Sequence, residues 1–497
     1  MSASIHDVFA ESCKRHSKRT AIVDMAGAIS YGDLLDAATA LGGFLRTSLP
    51  KGCDRVAIHA ENSAKYVAGY YGALAVGLTP FLLDPALGRR DLATISQSCG
   101  VGPFLHDAKG SAALRDAERL GEFGGLTLGL VGGEVGGAAI PALDPRTGTC
   151  RFTSGTTGAP KCLEFSHLAV TSAARNWIEG TGLAGDDRVL CLATFANGLA
   201  FNTSLLASFI QGAELHLHEG MPTSARIRAR VEGAKITRLV GFPLLYQILG
   251  GSSEEARGES SNSRLASLRV AISAGAPLAA EVRARFEATS GVLLADYYGI
   301  AEVGPCTFAR EGHDRGLGGA LPGVEIEAPG ADAEPGEIRV RTASMATRYL
   351  NAPDALGQRL NRRGFYRTGD LGRLDEGCLF VTGRIEGPIN LAGRKVDPVE
   401  IESFARTLPG VEDAAVFADT DAAGGTFIHL AVAGSSALLP RAIQDACRRE
   451  LTPYKVPARV SPVPTIPRSS SGKARQTLLR ELIAAGRDDK SSNTENA

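Results

Sequence analysis

Thr153-Ser-Gly-Thr-Thr-Gly-Ala-Pro-Lys161 is the stretch from which the rest of the chain is best read. Six of its nine residues are Ser, Thr or Gly, and one Lys closes it. Small residues let backbone N–H groups approach a ligand, and glycines reach the dihedrals that turn successive N–H groups inward. Hydroxyls add donors, and Lys161 adds a mobile positive charge. Such a stretch suits a polyanion, most naturally a nucleoside triphosphate. An exposed Ser/Gly/Thr loop has the same composition. The G-x-x-x-x-G-K-[ST] spacing of a Walker A loop is absent.

Upstream of the cradle the pattern alternates between strand and helix. Residues 5–19 read as a helix and 20–24 as a strand. Ser30 reads as an N-cap with Asp33 at N3, opening an amphipathic helix. Residues 55–59 and 81–84 read as strands around a helix bearing Tyr66, Tyr70 and Leu74, with Pro85 stopping the second. Residues 107–148 carry little pattern beyond a short helix and strands. Downstream, 188–194, 268–273 and 292–298 read as strands, 236–243 as a strand then a turn at Pro243, 278–289 as a helix, and 195–204 as a lead into an apolar helix. The sequence therefore predicts an α/β fold with a mainly parallel sheet, made as two similar α/β halves. Past about residue 320, short strands broken by Gly and Pro predict a small β-rich unit. From about 384 a compact α+β module follows, with helices over 399–408 and 439–451 and strands over 411–417 and 426–433. The polar segment from about 487 is expected to be disordered.

Composition narrows the function. The 497 residues exceed one ordinary core. An apolar fraction of 44%, a charged fraction of 22% and a net charge of −1 describe a soluble globular protein. They give no reason to expect nucleic acid or an anionic membrane as partner. The N-terminus lacks a basic and apolar leader, and no apolar run is long enough to span a bilayer. Nine scattered cysteines without a C-x-x-C pair fit reduced thiols in a cytoplasm. Glu214-Leu-His-Leu-His-Glu219 places His216 and His218 on one strand face, expected to be solvated rather than metal-binding.

Five further motifs follow the cradle: Ser273-Ala-Gly-Ala-Pro277, Tyr297-Tyr-Gly-Ile-Ala-Glu302, Tyr366-Arg-Thr-Gly-Asp370, Gly383-Arg-Ile-Glu386 and Pro467-Arg-Ser-Ser-Ser-Gly-Lys473. In this order they resemble the adenylate-forming superfamily of acyl- and aryl-CoA ligases, nonribosomal adenylation domains and luciferases. The resemblance spans nearly the whole chain. It implies a large N-terminal domain over 1–383, a hinge at 384–386 centred on Glu386, and a small mobile C-terminal domain over 387–497. It implies that Thr153, Ser154, Gly155, Thr156, Thr157, Gly158 and Lys161 hold the β- and γ-phosphates of ATP. The backbone of 274–276, with Gly275 and Ala276, would flank the adenine and Tyr298 would stack on it; Gly299 would also belong to the ATP site, and Asp370 and Arg384 would reach the ribose. Glu302 would ligate Mg²⁺, and Lys473 would bridge the acid's carboxylate and the α-phosphate. A core aromatic remains the alternative for Tyr298, a turn residue for Asp370 and a solvated loop lysine for Lys473.

Two departures bear on activity. Ala301 stands where the family carries a Thr that contacts the α-phosphate. One lost hydrogen bond to a charged group, about 1.5–3 kcal/mol, implies adenylation roughly tenfold to a hundredfold slower unless another donor compensates. Phe195-Ala-Asn-Gly198 lacks both the His of many CoA ligases and the Asp that amino-acid adenylation domains use for an α-ammonium. Asn197 is similar in position to the Asn that binds a ring hydroxyl in hydroxybenzoate-activating members, although a loop or cap residue is an equal reading. Phe195, Gly198, Leu199, Phe201, Phe242 and Tyr246 would supply apolar walls. The resemblance thus implies activation of a small aromatic or short acyl carboxylate, with ATP, Mg²⁺ and CoA. No carrier module follows Lys473, so the acceptor is expected in trans: CoA, a separate carrier protein or a less usual nucleophile such as an amine. A catalytically weakened nucleotide-binding regulator is the alternative of another class. The pattern does not separate monomer from homodimer.

Overall fold

The computed structural model describes residues 3–131, 140–153, 160–218, 220–250, 265–275, 278–309, 316–384, 389–391, 394–421, 425–435, 439–467, 474 and 478–484. The chain forms two compact units, the first reaching to Glu386 and the second built chiefly from 387–497. It is a mixed α/β protein with a large N-terminal part and a small C-terminal one.

Three larger sheets organise the first unit. In the seven-stranded sheet the spatial order is Leu294–Tyr297, Val270–Ala274, Arg238–Gly241, Arg188–Cys191, Glu214–Leu217, Thr20–Asp24 and Gly27–Ser30. Every pairing is parallel except the last hairpin. The eight-stranded sheet has a parallel centre of Thr147–Thr153, Thr79–Leu82, Arg55–His59 and Pro103–His106, with antiparallel strands on both sides. A six-stranded antiparallel sheet over 307–384 is the β-rich unit. The two α/β halves are not consecutive in the chain. Thr20–Asp24 joins the sheet of the second half, pairing with Glu214–Leu217. Short-range pattern marks a strand but does not choose its partner.

Local signals account for the helices. Ser30 accepts the Asp33 N–H and caps Tyr31–Ser48. That helix crosses Ala64–Ala75 closely. A Cβ at Gly42 would lie 2.7 Å from the Gly72 carbonyl oxygen, and one at Gly72 would lie 2.6 Å from that of Ala38. Only glycine permits this approach. The turn expected at Pro243 is instead the first residue of helix Pro243–Gly250, where a missing N–H costs nothing. His216 corrects the solvated-face expectation. It is 3% exposed, and its Nε2 lies 2.7 Å from Glu214 Oε1. Tyr246 is likewise not a pocket wall, because it is fully buried in a separate core with its hydroxyl donating to the Ile272 carbonyl.

Asp187 ties the ends of three neighbouring strands. It is 1% exposed and accepts from Arg238 Nε at 2.7 Å, Thr237 Oγ1 at 2.5 Å, Arg269 at 2.5 Å and the Ala184 N–H at 2.9 Å. Burial pushes its carboxyl up, but these bonds and the Arg238 charge hold it below the usual range. Asp187→Ala leaves the buried Arg238 guanidinium without its carboxylate, keeping its bonds to Thr181 and Gly182, and should cost about 3–5 kcal/mol in chemical denaturation near pH 7. Because the folded-state pKa is lowered, this contribution is complete above the ordinary carboxylate range and disappears as pH falls through the lowered value.

In the second unit, strands Val411–Thr420, Thr426–Gly434 and Arg459–Pro462 form one sheet. Helices Pro398–Arg406 and Pro440–Glu450 bury Ile401, Ala405, Ile443 and Cys447 in its core. Among the described residues, no helix is long and apolar enough to cross a membrane. The tail from about 487 lies outside the described residues.

Candidate active site

The two ends of the cradle stretch lie on neighbouring strands. Strands Thr147–Thr153 and Lys161–Ser166 are antiparallel, and Thr153 is the register partner of Lys161. Ser154, Gly155, Thr156, Thr157 and Gly158 lie outside the described residues, so the structure places only the two ends of the cradle.

From its end, Lys161 reaches a residue that sequence reasoning missed. Its Nζ lies 5.6 Å from the ring centroid of Tyr349, within cation–π range. The Tyr349 hydroxyl donates to Glu302 Oε1 at 2.6 Å. Tyr349 sits in the short strand Arg348–Tyr349, which pairs with strand Lys161–Ser166. One tyrosine thereby joins the expected phosphate lysine to the expected metal carboxylate. Burial, and then the Glu302 charge, pushes its phenol far up, so it stays a donor. No motif marks Tyr349; only the pairing of two distant strands places it here.

Glu302 suits a hard divalent cation. Its carboxylate is half-buried and oriented by the phenol, and its backbone carbonyl accepts the Ala346 N–H at 2.8 Å. Among the described residues there is no cluster of three or more His, Cys, Asp or Glu that could cage a metal. A single carboxylate shared with substrate phosphates is the usual arrangement for Mg²⁺. Tyr349→Phe keeps the ring and removes one charge-assisted hydrogen bond. It should raise the MgATP requirement for pyrophosphate exchange about tenfold, read from titrations at several Mg²⁺ concentrations.

The expected adenine and ribose residues also meet. The Tyr298 hydroxyl donates to Asp370 Oδ2 at 2.6 Å, with exposures of only 8% and 7%. Gly369, at φ +78°, lies within strand Tyr366–Asp375 where its pairing with Gly336–Thr342 is irregular, and Thr368 Oγ1 accepts the Asp370 N–H at 3.0 Å. Arg384 is the register partner of Asp370 across two antiparallel strands. Gly275, at φ +83°, turns the chain after strand Val270–Ala274. A Cβ at Gly299 would approach the Gly304 carbonyl oxygen to 2.8 Å. Ala276, Glu386 and Lys473 lie outside the described residues.

The 195–198 segment is held from below. Asn62 accepts the Phe195 N–H at 2.8 Å and donates to the Ala193 carbonyl at 2.7 Å. Phe195 is fully buried against Tyr66, and Leu199 is 5% exposed, so both carry the loop rather than face an opening. Gly198 and Phe242 are half-buried. Asn197 Oδ1 accepts the Leu199 N–H at 2.9 Å, which makes this residue the N-cap of a short helix. Its acceptor atom is thus engaged by the backbone. A π-helical stretch, Phe201–Leu206, follows; such irregularities cluster at functional sites.

Known proteins resemble this chain over most of its length. A family model described as AMP-binding enzyme matches residues 9–350, and one described as AMP-binding enzyme C-terminal domain matches 400–473. A 3-hydroxybenzoate–CoA ligase of Aromatoleum sp. (strain CIB) is 28% identical over 94% of each chain. A 3-hydroxybenzoate–CoA/4-hydroxybenzoate–CoA ligase of Thauera aromatica is also 28% identical, again over 94% of each chain. The solved amide bond synthetase McbA of Marinactinospora thermotolerans superposes with a TM-score of 0.81 at 22% identity, over 95% of this chain and 99% of that one, a likeness of fold.

Proposed function

The chain belongs to the AMP-binding enzyme family, and on that premise we propose that it converts a small aromatic or short acyl carboxylate to its CoA thioester. ATP-dependent acid activation with transfer to CoA is the activity its relatives support, as an AMP-forming acid–thiol ligase. The observation that carries this reading is the Lys161–Tyr349–Glu302 chain at the start of strand Lys161–Ser166.

In the first half-reaction a carboxylate oxygen bonds to the α-phosphorus of ATP, and the bond to pyrophosphate breaks. Charge builds on phosphoryl oxygens, so the protein contributes position and fixed electrostatics. The cradle and Lys161 hold the part of ATP that leaves. Asp370 and Tyr298 fix the nucleoside, and Lys473 draws carboxylate and α-phosphate together despite their like charge. Glu302 would hold Mg²⁺, which would supply neutralising charge to the phosphates. In the second half-reaction the thiol sulfur bonds to the acyl carbon, AMP leaves and the thiol proton passes to solvent. Rotation of the small domain about Glu386 separates the two steps. The relatives named for hydroxybenzoates favour an aromatic acid, and the nine free cysteines fit a reducing cytoplasm.

Pyrophosphate exchange with hydroxybenzoates, short fatty acids and amino acids tests the acid. Thioester formation with free CoA, compared with a carrier protein, tests the acceptor. Exchange confined to amino acids, or acyl transfer only to a carrier protein, would overturn this reading. Acid-dependent exchange would also eliminate the regulatory alternative.

A further inference from the structure

Arg151 is a buried cation that the roles assigned above leave unused. It lies on strand Thr147–Thr153, two residues before the cradle, and is 3% exposed. Its guanidinium sits between Phe165 and Phe201, 4.6 and 4.8 Å from their ring centroids. Nη1 is packed against Gly198, where a Cβ would lie 2.7 Å away. Nη2 makes a long hydrogen bond, 3.3 Å, to the carbonyl of Ala301. Nε has no partner. The guanidinium therefore spans the gap between the acid-pocket segment and the residue preceding Glu302.

An arginine in this position is costly. Burial pushes its pKa down to about 10, and Tyr70, Glu302 and Tyr297 oppose that only partly. Among the described residues no carboxylate pairs with it. Elsewhere in this unit buried arginines are answered by acids, Arg238 by Asp187 and Arg283 by Asp296. A hydrophobic side chain would fill the space between two phenylalanines at lower cost. A five-donor fork with an idle Nε matches the planar, two-oxygen geometry of a carboxylate.

Resting on the proposed acid-activating reaction, we infer that Arg151 is a substrate-binding residue that receives a carboxylate of the acid. Two sources share this chemistry: the carboxylate that reacts, or a second one borne by a dicarboxylic acid. Gly198 leaves room for the fork, and the Phe165–Phe201 sandwich keeps it from swinging away.

The test compares the full-length protein with Arg151→Met and Arg151→Lys. Binding of benzoate, hydroxybenzoates and matched aromatic dicarboxylates is measured without ATP, by calorimetry and by shift in Tm, alongside acid-dependent pyrophosphate exchange. Arg151→Met should weaken acid binding on the order of a hundredfold while its own Tm stays equal or rises. Equal losses for mono- and dicarboxylates identify the reacting group; loss confined to dicarboxylates, which the parent protein then prefers, identifies the second. Arg151→Lys retains charge without the fork and should fall between. Unchanged acid affinity in Arg151→Met, or a lowered Tm that Arg151→Lys restores with no change in acid affinity, overturns the inference. Binding without pyrophosphate exchange in the parent protein would overturn the proposed reaction and leave the Arg151 assignment standing.

Discussion

Lys473→Ala should lower acid-dependent pyrophosphate exchange by on the order of 10²–10³-fold, with little change in Tm. In the proposed reaction this lysine acts where charge builds as carboxylate and α-phosphate converge. A preorganised cation at that point stabilises the transition state more than the ground state, so its loss appears in kcat. Lys161→Ala is the control. Lys161 holds the departing end of ATP and rests on Tyr349, so its loss should raise the ATP requirement about tenfold and leave most of kcat intact. Steady-state exchange kinetics on both variants decide the matter. A larger loss of kcat for Lys161→Ala than for Lys473→Ala would sink this division of labour.

Asp370→Ala is expected to have the second-largest effect, for two separable reasons. The proposed ribose contact is a charged acceptor, and each hydrogen bond to it is worth about 1.5–3 kcal/mol, so the KM for ATP should rise about a hundredfold or more. The same substitution leaves the buried Tyr298 hydroxyl without the acceptor it has at 2.6 Å, which costs about 1–3 kcal/mol of stability. Tyr298→Phe removes the phenol oxygen and keeps the carboxylate, and should be much milder on both counts. Comparing ATP with 2′-deoxy-ATP isolates the ribose contact. The parent should discriminate between them, and Asp370→Ala should not. Discrimination that survives in Asp370→Ala would assign the ribose to another residue.

The motifs were readable because they are local. Glycines at turns, hydroxyls beside a lysine and a carboxylate after a glycine announce themselves within a few residues. Gly369 at φ +78° followed by Asp370, and Gly275 at φ +83°, are of this kind. So is the Ser30 cap. What escaped notice depends on partners from about fourteen to nearly two hundred residues apart in sequence. Tyr349 looks like an ordinary aromatic until its strand pairs with 161–166 and its hydroxyl meets Glu302. Arg151 looks like one charge in a strand until Phe165, Phe201 and Gly198 close around it. Asn197 was open to two readings, and the structure engages its oxygen as a cap. His216 was misread because alternation identifies a strand face but not whether solvent lies against it.

From the amino-acid order alone come the α/β character, the two-part organisation expected around residues 384–386, and membership of a family that handles ATP. Those follow from short-range backbone preferences and from side chains that must be adjacent to form a phosphate cradle. Tertiary structure alone decides which strands share a sheet, which tyrosine orients Glu302, and that a cation without a carboxylate partner among the described residues lies between the acid segment and Ala301. The reason is physical. Turn and cap energies depend on neighbours within a few residues, whereas desolvation, charge pairing and cross-strand hydrogen bonds depend on whatever the fold brings within about 4 Å.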